Sequence, residues 1–205
     1  MSDLVLGIDT STRVAVGLAD GERVLVRHLA GDTRSHVELL ADTVAEVVAE
    51  AGFKLSDVAR IGVGVGPGPF TGLRVGIATA RVLGEALGVT VTGVCGLDVM
   101  AGQAGTTGGP FLVVTDARRH EVYWAQYDAS GLRVAGPFVG AEAGLPELPV
   151  VTPDLDAGWL AAHLDMLPDV GLEPLYLRQP DAEVASTRKS TLVSGRLRLP
   201  IGGVR

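Results

Sequence analysis

Cysteine occurs once, at Cys95, so no disulfide can form within the chain, as suits a reducing compartment. Aromatic residues make up only 4% of a chain that is 47% hydrophobic, so the core must be built from Val, Leu and Ala. Basic charge is also short: 17 Lys and Arg stand against 24 Asp and Glu, a net −7. That balance excludes a broad electrostatic hold on nucleic acid by this chain alone, and leaves any basic surface to a partner. The start, MSDLVLGIDTSTR, has no basic segment leading into an apolar one and does not read as a signal peptide. The longest uncharged stretch, Val99 to Thr115, is broken by Gly, Gln and Thr and makes a poor membrane helix. These absences predict a soluble cytoplasmic protein without a membrane partner. Its 205 residues allow one large domain or two small lobes.

What is present reads as alternating strands and helices. LVLGID at 4–9, VAVGLA at 14–19 and RVLVRHL at 23–29 predict a three-strand meander, with Asp20-Gly21 as its hairpin turn. A helix is expected at 35–51, with Ser35 and Glu38 as a capping box and Gly52 as its stop. Val37, Leu40, Val44, Val47 and Val48 form its apolar stripe, and Glu38, Asp42, Glu46 and Glu50 lie opposite. That acidic row suits either solvent or a basic partner. A buried strand at 60–66, a helix at 72–87 ended by Gly88, a strand at 89–94 and a short helix at 96–103 follow. After a Gly-rich seam at 101–110 the opening layout returns: FLVVTD ends in Asp116 as the first strand ends in Asp9, and two further strands follow. This is an internal duplication of the meander. Residues 140–158 are rich in Gly and Pro, one helix is expected at 158–167, and PLYLR at 174–178 reads as a late strand. The layout predicts a first lobe at 1–105, a shortened second lobe at 106–185 and a basic tail at 186–205. The tail is read as either loose or a docking segment.

The run GPGPFTGLRVG at 66–76 joins a predicted strand to a predicted helix, the setting of a phosphate loop. It fails position by position. Gly72 is followed by Leu73-Arg74, where a Walker A loop needs Lys and then Ser or Thr. Gly66, Gly68 and Gly72 miss the dinucleotide spacing. Pro67 and Pro69 remove two N–H groups that could hold an anion. A stiff structural turn with Thr71 capping the helix is the first reading, and an anion at the helix start the second. The four histidines, His28, His36, His120 and His163, include no pair at metal-binding spacing on one helix, and Cys95 reads as a buried thiol. No Gly-x-Ser-x-Gly elbow is present. Neither catalytic residues nor metal ligands are assigned.

The helix after the loop has small residues every four positions: Gly72, Gly76, Ala80 and Gly84. Such a row lowers helix propensity, since Gly costs about 1 kcal/mol against Ala, and lets another element approach closely. Its partner is either the chain itself or a second protein.

These motifs together resemble the TsaB family, also called YeaZ. GIDTST at 7–12, GPGPFTGLRVG at 66–76, DARRHEVYWAQY at 116–127 and PLYLRQPDAEV at 174–184 carry the likeness across residues 1 to about 185. The second motif is shared only with the sister family TsaD, and a serine often stands where this chain has Pro69. The resemblance implies an α/β fold of the actin-like, sugar-kinase-like (ribonuclease H-like) class, with two duplicated lobes, the second reduced here. In that fold an Asp-x-Gly-Thr/Ser turn binds nucleotide phosphate. Here the turn is Asp9-Thr10-Ser11-Thr12, with a side chain where glycine belongs, and the second turn, Asp116-Ala117-Arg118-Arg119, also lacks glycine. Asp9, Thr10, Ser11, Asp116 and Arg118 are thus positions of a degenerate nucleotide site. The His-x-x-x-His metal pair of TsaD is absent, since Leu40 stands four residues after His36.

The resemblance further implies a non-catalytic scaffold subunit that pairs with TsaD and, together with TsaE, forms N6-threonylcarbamoyladenosine in tRNA. ATP and metal would be held by the partner subunits. Without TsaD the chain would form a homodimer, and tRNA would be met only within the complex. The expected pairing face is Leu73, Gly76, Ile77, Ala80 and Gly84. The competing readings are a small ATP-dependent kinase or ATPase built on Asp9 and Asp116, and a metallopeptidase.

Overall fold

This computed structural model describes residues 3–30, 36–105 and 107–178, with only the backbone described at 36–39. The proposed capping box at Ser35 and Glu38 and the tail at 186–205 lie outside the described residues and side chains. Nine strands form two sheets. The first has the order β3-β2-β1-β4-β5, built from Leu4–Asp9, Val14–Asp20, Arg23–Ala30, Arg60–Gly64 and Thr90–Val94 as β1 to β5. The second has the order β8-β7-β6-β9, built from Phe111–Asp116, Glu121–Tyr127, Arg133–Ala141 and Val150–Val151 as β6 to β9. In each, a three-strand antiparallel meander is followed by a strand parallel to the meander's first: β1 pairs with β4, and β6 with β9. The duplicated layout is therefore real at the level of hydrogen-bonded register.

The first sheet is buried on both faces. Its outer face carries α1 (His36–Glu50) and α2 (Phe70–Leu87), packed through Leu40, Val44, Val47, Leu73, Ile77 and Ala80 onto Leu6, Ile8, Val16 and Val63. Gly52 at φ 81° and Gly88 at φ 69° end these helices in the left-handed region that glycine tolerates. Its inner face and the second sheet enclose a second core with α3 (Gly96–Ala104) and α4 (Ala157–Ala162). The fold is the actin-like, sugar-kinase-like α/β class.

Three expectations change. Residues 157–178, grouped above with the second lobe, pack on the first sheet: α4 rests on β1, β2 and β3, while α3 rests on β6 and β7. A glycine row makes the first contact possible. Gly7 pairs with Gly17 on one side and Gly62 on the other. A Cβ at Gly7 or Gly17 would overlap the backbone of Ala157 or Gly158, and one at Gly62 would overlap the Leu160 and Leu164 side chains. The helix expected at 158–167 is α4 followed by a 3-10 turn at Leu164–Met166. Its start is capped by Asp156, whose carboxylate accepts from Gly158 and Trp159 N–H at 2.8 and 3.1 Å. PLYLR is not a strand: Pro174 has no N–H to donate, and the segment makes a single backbone bond to β4's end, Leu175 N–H to Val65 O at 2.8 Å. Between β8 and β9 there is only a 3-10 turn at Glu142–Gly144 where the first lobe has α1, which is how the second lobe is reduced.

Candidate functional site

Asp9 ends β1 and is fully buried, as Thr10 and Ser11 almost are, at 1% and 3% exposure. Ser11 donates twice to Asp9 Oδ1, from its N–H at 2.8 Å and from its hydroxyl at 2.6 Å. The Thr10 hydroxyl donates to the Gly72 carbonyl at 2.8 Å. The second turn repeats part of this geometry: Arg118 N–H donates to Asp116 Oδ1 at 2.8 Å. There, however, Asp116, Arg118 and Arg119 are exposed, and Arg118, Arg119 and His120 have φ of 62°, 57° and 62°. Non-glycine residues adopt that region at a cost of about 1–2 kcal/mol each. Arg178 holds this turn, donating to Ala117 O at 3.0 Å and pairing with Glu121.

The loop GPGPFTGLRVG closes over the first turn. A Cβ at Gly68 would overlap Ser11, one at Gly72 the Thr10 carbonyl, and one at Gly76 the Thr10 hydroxyl. Gly64, just before the loop, similarly abuts Asp9 Oδ2. The glycines thus receive the side chains of the turn; the turn and the loop are one packed unit. Thr71 does not cap α2: Pro69 is the N-cap residue and no side chain bonds the first turn. The helix begins two residues earlier than expected because Pro69, at φ −62° and ψ 137°, holds the preceding chain extended. Asp9 Oδ2 is buried without a hydrogen-bond partner among the described residues, and burial pushes the Asp9 carboxyl up to about 6 against the two Ser11 hydrogen bonds, which lower it. Cys95 is a buried thiol, pushed up to about 11 by burial and by the neighbouring Asp98.

The expected pairing face needs correction. Leu73, Gly76, Ile77, Ala80 and Gly84 are all buried within the chain. Gly76 meets Thr10, Gly84 meets Val91, and Leu73, Ile77 and Ala80 lie in the outer core. The small-residue row does permit close approach, but what approaches is the chain's own turn and strand. The side of α2 that looks outward carries Arg74, Ala78, Arg81, Val82 and Glu85, with Val82 65% exposed and Val75 and Thr79 half-buried beside them. A groove of about 330 Å³ runs between it and α1, lined by Ala41, Ala45, Val48, Phe53, Thr79 and Leu83. A second hollow of about 400 Å³ continues along the start of α2 past Phe70, Arg74 and Val75. There Phe70 stacks on Tyr176 at 4.8 Å between ring centres, Arg74 lies 3.7 Å over Phe70, and Arg74 Nε donates to the Tyr176 hydroxyl at 2.9 Å. PLYLR thereby ties the start of α2 to the β6–β7 turn. No sequence periodicity marks that role, because its partners lie far off in the chain, 102 residues from Tyr176 to Arg74 and 61 from Arg178 to Ala117.

Fold and site together define an actin-like two-lobed protein whose first nucleotide-type turn is filled by its own chain. A family model described as TsaD: tRNA N6-adenosine threonylcarbamoyltransferase matches residues 30–145. An uncharacterised protein of Mycobacterium leprae is 42% identical over 95% of this chain and 60% of its own length. The tRNA threonylcarbamoyladenosine biosynthesis protein TsaB of Escherichia coli is 33% identical over 62% of this chain and 57% of its own length. The solved structure of YeaZ from Pseudomonas aeruginosa superposes with a TM-score of 0.69 at 28% identity, over 86% of this chain and all of that one. The chain belongs to the TsaB/YeaZ family, and it spans about three-fifths of the M. leprae and E. coli relatives it matches. No helix among the described residues is long and apolar enough to cross a membrane.

Proposed function

We propose that this chain is a non-catalytic partner subunit in the formation of N6-threonylcarbamoyladenosine in tRNA, pairing with and activating a TsaD subunit together with TsaE. The observation that carries this reading is the open groove between α1 and α2, lined by Ala41, Ala45, Val48, Phe53 and Leu83, with exposed Val82 and the charged Arg81 and Glu85 on the adjoining side of α2. An apolar groove with a partly charged rim is a surface that a partner protein can cover. The likeness to a protein named for threonylcarbamoyladenosine biosynthesis supports the pathway. The filling of the Asp9 turn by Thr10, Ser11 and the glycine loop supports the absence of catalysis, since a nucleotide phosphate would need that space. ATP and metal fall to the partner subunits, the same face forms the homodimer when TsaD is absent, and tRNA is met within the complex. A kinase or ATPase built on Asp9 would need the turn to open.

The test is co-purification with TsaD, followed by tRNA modification with TsaD and TsaE, with and without this chain. The expected result is a stable pair, modification that depends on the chain, and no ATP hydrolysis by the chain alone. Modification at full rate without the chain, or micromolar ATP binding by the chain alone in calorimetry, would overturn it.

A further inference from the structure

A cavity of about 520 Å³ opens where α3, the β7–β8 turn, α4 and the segment after it meet. Neither Asp9 nor the outer α1–α2 face contributes to it. Its rim is apolar: Leu132 and Met166 are 67% and 75% exposed, and Trp159 and Leu167 stand beside them. Two charged groups, Asp98 and Arg133, lie in its wall.

Asp98 is only 7% exposed. Its Oδ1 accepts from the Tyr127 hydroxyl at 2.8 Å and faces Arg133 Nε at 3.2 Å. Its Oδ2 is buried with no hydrogen-bond partner among the described residues. Arg133 spends Nε on Asp98 and turns Nη1 to Cys95 Sγ at 3.9 Å, which leaves Nη2 without a partner among the described residues. A buried acceptor and a guanidinium nitrogen, each without a partner among the described residues, therefore stand side by side in the cavity wall. A buried carboxylate oxygen left bare is costly and calls for a donor.

The setting is rigid. Asp128 Oδ1 accepts from Ser130 N–H, the Ser130 hydroxyl and Leu132 N–H at 2.9, 2.6 and 3.1 Å, which fixes the turn just before Arg133. Trp159 is pinned against α3 at Gly102, where a Cβ would overlap its ring. A preformed hollow with apolar walls and a few convergent polar groups is the usual make-up of a small-molecule site.

We propose that this cavity binds a small zwitterion with an apolar side chain, a free apolar α-amino acid being the simplest. Its ammonium faces Asp98 and donates to Oδ2 once the carboxyl turns toward the hollow, its carboxylate accepts from Arg133 Nη2, and its side chain lies among Leu132, Trp159, Met166 and Leu167. A simple anion would sit beside a carboxylate and leave Oδ2 bare. A simple cation would sit beside a guanidinium. An apolar molecule would satisfy neither group. The zwitterion sets each charge against its opposite, in charge-assisted hydrogen bonds.

Calorimetry on the full chain with L-leucine and L-methionine tests this, with 4-methylpentanoate and 3-methylbutylamine as analogues that each lack one charge. Saturable binding of the amino acids is expected, with each analogue weaker by roughly tenfold or more. Arg133→Gln should weaken L-leucine by a similar factor. Because that change also strips a buried carboxylate of its partner, Met166→Asp on the exposed rim is the second variant. It should weaken L-leucine about tenfold while leaving the melting temperature of the free chain unchanged. Absence of amino-acid binding up to about 10 mM would overturn the proposal. So would analogues that bind as well as L-leucine, or a Met166→Asp chain that binds it normally. Met166 lines this cavity and not the groove between α1 and α2, so pairing with TsaD can fail or succeed independently of this result.

Discussion

Asp9→Asn should change how stability depends on pH, and the size of the change follows from the site. Asp9 is fully buried, Gly64 abuts its Oδ2, and that oxygen has no donor among the described residues. Burial raises its pKa from 3.8 to about 6. At about 1.4 kcal/mol per pH unit, the ionised carboxylate costs the native state about 3 kcal/mol relative to the protonated one. The folded-state pKa lies above the unfolded one, so the native state holds more protons between pH 3.8 and about 6. The stabilising contribution is whole below pH 3.8, declines through that window, and is lost above about 6. Asparagine keeps an oxygen for the two Ser11 donors and cannot ionise. The stability of the variant minus that of the wild type should therefore rise by about 2.5 kcal/mol between pH 4 and 7.5, most of the full change. Taking the difference cancels the titration of the other acids. Urea unfolding at a series of pH values measures it. A difference that stays flat would mean that water reaches Asp9 and that the turn is not closed. A difference that falls with pH would mean that the native state wants the charge, as it would with a cation bound there, and the kinase reading would return.

Other substitutions separate the buried and outward sides of α2. Ala80→Glu puts a carboxylate into the outer core and should cost about 4 kcal/mol or more, seen as loss of the folded chain. Val82→Glu, at a 65% exposed position, should change stability by less than about 0.5 kcal/mol yet abolish capture by TsaD; normal capture by this folded variant would refute the pairing face. Gly76→Ala should destabilise by about 1–3 kcal/mol, although Gly to Ala in a helix ordinarily stabilises, because its Cβ overlaps the Thr10 hydroxyl. Thr10→Ala should relieve most of that cost in the double variant, read as a coupling energy in urea unfolding. Tyr176→Ala removes the stack on Phe70 and the bond from Arg74, and should lower stability by about 1–2 kcal/mol in the same assay.

The strands and their duplicated order were legible because local signals define them. Asp20-Gly21 closes one hairpin, apolar runs end at Asp9 and Asp116, and Gly52 and Gly88 stop the helices. The exchange of α3 and α4 between the sheets was not legible. An apolar helix face states that it will be buried, and nothing in its periodicity says against which sheet. The clue was in the strands instead: Gly7, Gly17 and Gly62 sit in strand interiors, where glycine is unfavourable unless another backbone comes close.

The same distinction decides how the candidate site is read. A small residue at every fourth position of α2 correctly signalled close approach, but it records only that space is needed and not who fills it. The fillers are Thr10, against Gly72 and Gly76, and Val91, against Gly84. Once side chains occupy the first turn, the following loop must be stripped to glycine and proline to cover them, and the row that accommodates the turn cannot also face a partner. Helix α2 is then left with its opposite side, where Arg74, Ala78, Arg81, Val82 and Glu85 are exposed, as the surface that a second protein can reach. A variant that reopened the turn, such as Ser11→Gly with Thr10→Ala, would restore space beside Asp9 without touching that surface. Retained pairing with TsaD by such a variant is expected, and co-purification checks it. Loss of pairing in a variant shown to be folded would mean that the turn and the outer face are coupled through α2 rather than separate.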